Sequence, residues 1–209
     1  GLVGSEMCIR DRLKFSEKDI RILTISGLLH DIGKIMIPNE ILTKPGKLTV
    51  AEYNIMKQHV NFGYEKVKNQ NIDIRIKEAC LLHHEKCDGT GYPFGLKSDH
   101  IPAVAKIIAI ADVYDAMTSA RVYRGALCPF EVIDTMYKDA FTKFEPEYIL
   151  PFLKNVASSY INNDVRLSDG RIGKVVLINE NALSLPIVQC EDEFIDLSKT
   201  RGLTVSAIL

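Results

Sequence analysis

The chain has 209 residues, 46% hydrophobic and 25% charged, with 26 Lys+Arg against 27 Asp+Glu and a formal net charge of −1. That composition excludes wholesale disorder and supplies enough apolar side chains for a core that needs no staples. It also excludes a global basic field, so an anionic ligand must be held by a local constellation, and DNA is not an expected partner.

Gly1 to Arg12 (GLVGSEMCIRDR) has no apolar period and resembles a translated sequencing-adapter remnant, so residues 1–12 are set aside as non-native. Ser16 opens the first helix with Asp19 as capping-box partner; Ile20, Leu23, Gly27 and His30 keep helical spacing and Gly33 ends it. A loop with Pro38, Pro45 and Gly46 leads to a second capping box, Thr49 and Glu52. The spacing there predicts one helix with Tyr53, Met56, Val60, Gly63 and Val67 on its inward face. A third helix carries Ile76, Ala79, Cys80 and His83 at i, i+3, i+4 and i+7. The loop from Asp88 to Ile101 is punctuated by Gly89, Gly91, Pro93 and Gly95. Pro102 starts a long helix with the stripe Ile101, Ala105, Ile108, Asp112, Asp115 and Ser119, and two more helices begin near Pro129 and Pro146.

After Asn162 the period changes. Val165-Arg166-Leu167, a Ser168-Asp169-Gly170 turn and Ile172 to Ile178 read as a hairpin; Pro186 to Cys190, Phe194 to Leu197 and Leu203 to Leu209 add strands. The expected architecture is mainly α: a helical bundle over 13–161, then a small β-rich C-terminal extension over 162–209 with no chemistry assigned. The apolar run Val104 to Ala111 contains Lys106 and is too short to span a bilayer, and no signal-peptide pattern is present. The five cysteines (Cys8, Cys80, Cys87, Cys128, Cys190) form no C-x-x-C, which fits a reducing compartment, so a cytoplasmic location is expected.

His30-Asp31 at a helix end offers a nitrogen and a carboxylate to one point, with Lys34 one turn on. His59 borders the inward face of its helix, His83 lies on one with His84 beside it, and Asp112 replaces an apolar residue on an inward stripe. A buried carboxylate needs a cation, an arginine or several donors. Histidines and acids converging from separate helices point to a metal site in a helical bundle, whereas His100 in a polar loop reads as exposed. Mixed nitrogen and oxygen ligands suit iron, manganese, nickel or zinc.

Four strings carry a resemblance: LLHDIGKIMIP (Leu28 to Pro38), His59, HHEKCDGTGYP (His83 to Pro93) and IADVYDAMTSARVYR (Ile110 to Arg124). Together they resemble the HD-GYP family of HD-type metal-dependent phosphohydrolases, which is all-helical and hydrolyses cyclic di-GMP at a cluster of two or three metals, often iron or manganese. The resemblance implies metal ligands at His30, Asp31, His59, His83, His84 and Asp112, with Asp31 bridging. It places Lys34 near the scissile phosphate, Gly91-Tyr92-Pro93 beside the nucleotide, and Arg121 and Arg124 on its phosphates and bases. Asp115 matches an acidic position of open role. The implied activity is hydrolysis of the 3′–5′ phosphodiester to linear pGpG or GMP in bacterial second-messenger signalling. The alternatives are another cyclic dinucleotide or nucleotide as substrate, or a non-catalytic cyclic di-GMP sensor.

Three departures stand out. Larger-cluster members take a Glu and a His from a preceding helix, yet no histidine precedes His30. The sequence is therefore expected to be an N-terminally truncated domain, weakly active or inactive, whose upstream receiver or sensory module lies outside it. Cys87 stands where an aromatic residue is frequent, and Phe144-Glu145-Pro146 replaces Phe-Asp-Pro at a helix start, where either acid serves the helix dipole. Diguanylate cyclase-type proteins are possible partners through the GYP loop.

Overall fold

The computed structural model describes residues 15–119 and 125–209. Gly1 to Arg12 and the two arginines Arg121 and Arg124 lie outside the described residues.

The capping box Ser16/Asp19 starts α1 (Glu17–Leu29), which a 3-10 turn (Ile32–Met36) continues. A one-turn helix α2 (Asn39–Leu42) occupies the loop before Thr49. The second capping box, Thr49/Glu52, opens α3 (Val50–Met56), and a separate α4 (His59–Val67) follows. The single helix expected here is thus two. Its supposed face is divided as well: Val60, Gly63 and Val67 are buried, but α3 buries none of its residues and Tyr53 is 48% exposed. Helix α4 is held against the 3-10 turn at Gly33. A Cβ there would lie 1.9 Å from the His59 carbonyl oxygen and 2.4 Å from the Gly63 nitrogen. Only a residue without a side chain lets the 3-10 turn press so closely on the first turns of α4.

Next come α5 (Ile74–Leu82), α6 (Ala103–Thr118), α7 (Pro129–Asp139) and α8 (Pro146–Ser159), the last two with proline in the first turn, where a missing N–H costs no hydrogen bond. Helix α6 serves two cores. Val104 and Ile108 pack with Ile22 of α1 and with Ile76 and Ala79 of α5. Ile110, Val113, Tyr114 and Met117 face the larger core with Phe130, Ile133 and Met136 of α7 and Ile149 and Leu153 of α8. A helix packed on two sides is apolar on two sides. The stripe expected toward α1 and α5 ends at Asp112, because Asp115 and Ser119 are exposed.

Five strands close the chain: β1 (Asp164–Leu167), β2 (Ile172–Leu177), β3 (Ile187–Cys190), β4 (Glu193–Asp196) and β5 (Val205–Ile208). All pairings are antiparallel, in the order β4-β3-β2-β1-β5. Alternation along β1 buries Val165 and Leu167 and exposes Asp164 and Arg166, as a one-sided sheet requires. Val165, Leu167, Val175, Val188 and Val205 enter the same core as α7 and α8, so the sheet packs on the helices that follow α6. Among the described residues, no helix is long and apolar enough to cross a membrane.

Candidate metal centre

The site forms where helices end. His30 follows the last residue of α1, and its N–H completes the helix on the Ser26 carbonyl at 2.8 Å. Asp31 leads into the 3-10 turn that Gly33 presses onto α4, which brings it beside His59 at the α4 start. His83 and His84 follow α5, and Asp112 comes from the middle of α6. The two adjacent histidines and the His-Asp pair therefore reach the centre by chain reversal, without a long side-chain stretch.

Three imidazoles are tethered alike. His30, His59 and His83 each donate Nδ1–H to a backbone carbonyl, of Gly27 at 2.8 Å, Met56 at 2.8 Å and Ala79 at 2.9 Å. A carbonyl only accepts, so each Nδ1 carries a proton, and in the neutral rings of His59 and His83 this leaves Nε2 with a lone pair toward the centre. The Nε2 atoms of His59 and His83 then face each other at 3.3 Å, and both rings are 1% exposed. Two lone pairs at that separation repel unless a cation lies between them. Two ligands about 2.1 Å from one ion stand roughly 3.0–3.4 Å apart at octahedral or tetrahedral angles, which matches.

Asp31 holds the middle. Its Oδ1 lies 3.4 Å from His59 Nε2 and 3.8 Å from His83 Nε2, while its Oδ2 lies 3.2 Å from His30 Nε2 and 2.5 Å from Lys34 Nζ. Asp112 reaches His30 Nε2 at 3.7 Å and His84 Nδ1 at 3.9 Å. Donor atoms within 4.8 Å of one another fall into two sets, Asp31/His59/His83/His84 and His30/Asp31/Asp112, and Asp31 belongs to both. Among the described residues, the buried His30 Nε2 and Asp31 Oδ1 find no hydrogen-bond partner of proper geometry. Unpaired buried donors and acceptors of this kind need an explanation, and a divalent cation is the group that fits them.

The electrostatics agree. Burial, together with neighbouring imidazole charge, lowers the His83 and His84 pKa values, leaving both rings neutral as metal ligands must be. His59 is lowered by burial too. Burial opposes charge on His30, but the Asp112 and Asp31 carboxylates overcome it and hold that imidazole well above the usual histidine range. Against its own burial, Asp31 is held well below the carboxylate range by His30 and Lys34. Asp112 is less enclosed than its stripe implied: its side chain keeps 20% of its exposure, so the centre opens to solvent on that side.

Beyond His84 the chain returns over the centre. The Tyr92 ring stacks on His84, 4.6 Å between centroids at 25°, and meets His59 edge-on at 6.5 Å. Burial, and then the nearby Tyr53, Asp112 and Asp31, push the Tyr92 hydroxyl pKa up. Gly91 makes the stacking possible, because a Cβ there would come within 2.4 Å of the Lys86 nitrogen and 2.5 Å of the His84 carbonyl. Its place is against the protein backbone, where it lets the loop approach closely.

The sequence reading missed Glu85, whose carboxylate is buried and accepts the N–H groups of Phe94 at 2.7 Å and Leu96 at 2.9 Å. The available signal was an acid next to two adjacent histidines and just before a glycine-rich loop with many backbone N–H donors. Cys87 is half-buried, and its backbone ties the loop to the Lys143 carbonyl and the Ser98 N–H at 2.9 and 3.2 Å. Glu145 does not cap α8 with its side chain. It accepts instead from Ser98 Oγ at 2.5 Å and Lys106 Nζ at 2.8 Å, cross-linking the loop, α6 and the α8 start. His100 is exposed, as expected.

A helical bundle whose helix ends converge imidazoles and carboxylates on one point is the architecture of a metal-dependent hydrolase domain. The chain belongs to the HD domain family, in its HD-GYP branch: a profile described as HD domain matches residues 4–148. It is 41% identical over 151 residues to the cyclic di-GMP phosphodiesterase response regulator RpfG of Xanthomonas campestris, covering 71% of this chain and 40% of that one. It is 44% identical over 117 residues to the 3′3′-cGAMP-specific phosphodiesterase 1 of Vibrio cholerae, covering 54% and 26%. The solved structure of Bd1817, an HDG"Y"P protein of Bdellovibrio bacteriovorus, superposes with a TM-score of 0.57 at 21% identity, covering 70% and 47%, which shows the shared fold. The chain thus spans about two fifths of the length of its Xanthomonas relative.

Proposed function

We propose that this chain is the catalytic domain of a metal-dependent phosphodiesterase that opens a 3′–5′ phosphodiester of cyclic di-GMP, giving pGpG or, after a second cut, GMP. The observation that carries the reading is one carboxylate, Asp31, shared by two sets of converging donors. His59, His83, His84 and Asp31 would hold one divalent ion, and His30, Asp31 and Asp112 a second, with iron or manganese suited to mixed nitrogen and oxygen ligands. Ions bound there supply Lewis acidity that lowers the pKa of water and polarises phosphoryl oxygens.

The chain's own residues do the rest. The carbonyl tethers fix the aim of three imidazoles and keep the neutral rings of His59 and His83 in one tautomer. Lys34, partly exposed on Asp31 Oδ2, is a point charge beside the centre, suited to meeting a phosphate oxygen. Tyr92 covers His84 and keeps water from that flank. Arg121 and Arg124, at positions matching phosphate and base contacts, would add planar donor forks.

Relatives named for 3′3′-cGAMP favour a second reading in which the substrate is a different cyclic dinucleotide. A non-catalytic sensor is disfavoured, since binding alone has no use for two donor sets around one carboxylate. The relative named a response regulator supports an upstream receiver module in the whole protein. Phe94, 62% exposed on the GYP loop, supports docking by a diguanylate cyclase-type partner. Such signalling belongs in the cytoplasm.

The test uses protein in excess over cyclic di-GMP, so that one turnover per chain suffices, with products separated by chromatography. Metal-loaded protein is expected to form pGpG, and chelation to stop it. Lys34→Met should keep its metal and lose about 100-fold in single-turnover rate, the scale for removing one charge-stabilising donor. Intact substrate after loading with iron and with manganese would refute the reading.

A further inference from the structure

The break between α3 and α4 leaves an aromatic and a cation at the rim of the centre that the proposed chemistry does not use. Tyr53, on a helix with no buried residue, is half exposed. Lys57 Nζ lies 5.3 Å from the Tyr53 ring centroid and 6.0 Å from that of Tyr92, the ring stacked on His84. Among the described residues Lys57 has no carboxylate partner. A lysine paired with the tyrosine one turn earlier is ordinary on a helix surface. Here its ammonium also reaches Tyr92, the ring stacked on His84, so the pair stands beside the first donor set.

We infer that Tyr53 and Lys57 form a guanine-recognition station beside the metal centre. The inference rests on the cyclic-dinucleotide reading above. Unpaired bases are held by stacking on exposed aromatic faces and read by hydrogen bonds to their edges. The Lys57 ammonium now lies over the Tyr53 ring, and a purine stacking on that face would displace it to the outer edge of the base. Guanine presents two acceptors there, O6 and N7, while adenine presents N7 beside an amino donor that an ammonium repels. Lys57 therefore selects by base. A contact to the second phosphate would need no aromatic face and would treat both bases alike.

The experiment compares dissociation constants of cyclic di-GMP and cyclic di-AMP by calorimetry, with metal chelated so that neither is cleaved. Wild-type protein should prefer cyclic di-GMP. Lys57→Met should weaken cyclic di-GMP by about 10- to 100-fold while cyclic di-AMP changes little, and Lys57→Arg, which keeps two donors for O6 and N7, should retain the preference. A wild-type protein without the preference, an unchanged ratio in Lys57→Met, or an equal loss for both ligands would overturn the station. None of those results bears on the phosphodiesterase reading, which single-turnover cleavage decides separately.

Discussion

Asp31→Asn is expected to disable both donor sets at once. The amide keeps the shape of the side chain but removes the one charge that both sets share. Metal affinity should fall by well over the roughly 100-fold typical of lost outer partners, and cyclic di-GMP cleavage should disappear with it. Stability should fall as well, because His30 and Lys34 hold the Asp31 charge against its own burial in the folded protein, so the metal comparison is made at a temperature where circular dichroism shows the variant folded. His84→Ala is the control: it touches one set and should leave the His30/Asp31/Asp112 set able to hold an ion. Elemental analysis with circular dichroism reads both effects. An Asp31→Asn protein with its full metal complement would mean that the sets do not share their ligand.

Glu85→Ala is expected to damage the fold and the substrate side together while sparing the metal ligands. It leaves the Phe94 and Leu96 N–H groups without the buried carboxylate that now accepts both. Bonds to a charged acceptor contribute about 1.5–3 kcal/mol each, so the loss should be about 3–6 kcal/mol before water enters the gap. For a chain of this size that lowers the melting temperature by roughly 6–24 °C. The freed loop should also let Tyr92 leave His84, which raises KM more than it lowers kcat. Glu85→Gln keeps one acceptor oxygen and should fall between the two. A melting temperature within a degree of wild type would show that the loop is held by other contacts.

What was legible in the sequence was local chemistry. Both capping boxes announce their helices because Ser16 and Thr49 each bond the backbone three residues on. The prolines near 129 and 146 and the hairpin turn at 168–170 are equally short-range. The histidines and acids that gather at the centre were legible because they stand at helix ends or interrupt an apolar stripe. The rest depends on distant partners. Nothing near Lys57 or Gln58 signals a stop, so the two helices read as one and Tyr53 read as inward when it is exposed, whereas the face of α4 that Gly33 presses on is set by a residue far away in sequence. The second apolar face of α6 is explained only by α7 and α8 packed on it, and Asp115 and Ser119 read as inward for want of that context. Glu145 read as a helix-start acid because its partners Ser98 and Lys106 are far away in sequence.

Metal stoichiometry is the measurement closest to the central claim, because every step above depends on two donor sets meeting at Asp31. Protein stripped with chelator, titrated anaerobically with ferrous iron or with manganese and passed through a desalting column should retain two ions per chain. Their binding should release protons, since His30 is held in its charged form by Asp31 and Asp112 until an ion replaces its proton. Retention of no ion, with the fold intact, would contradict the account.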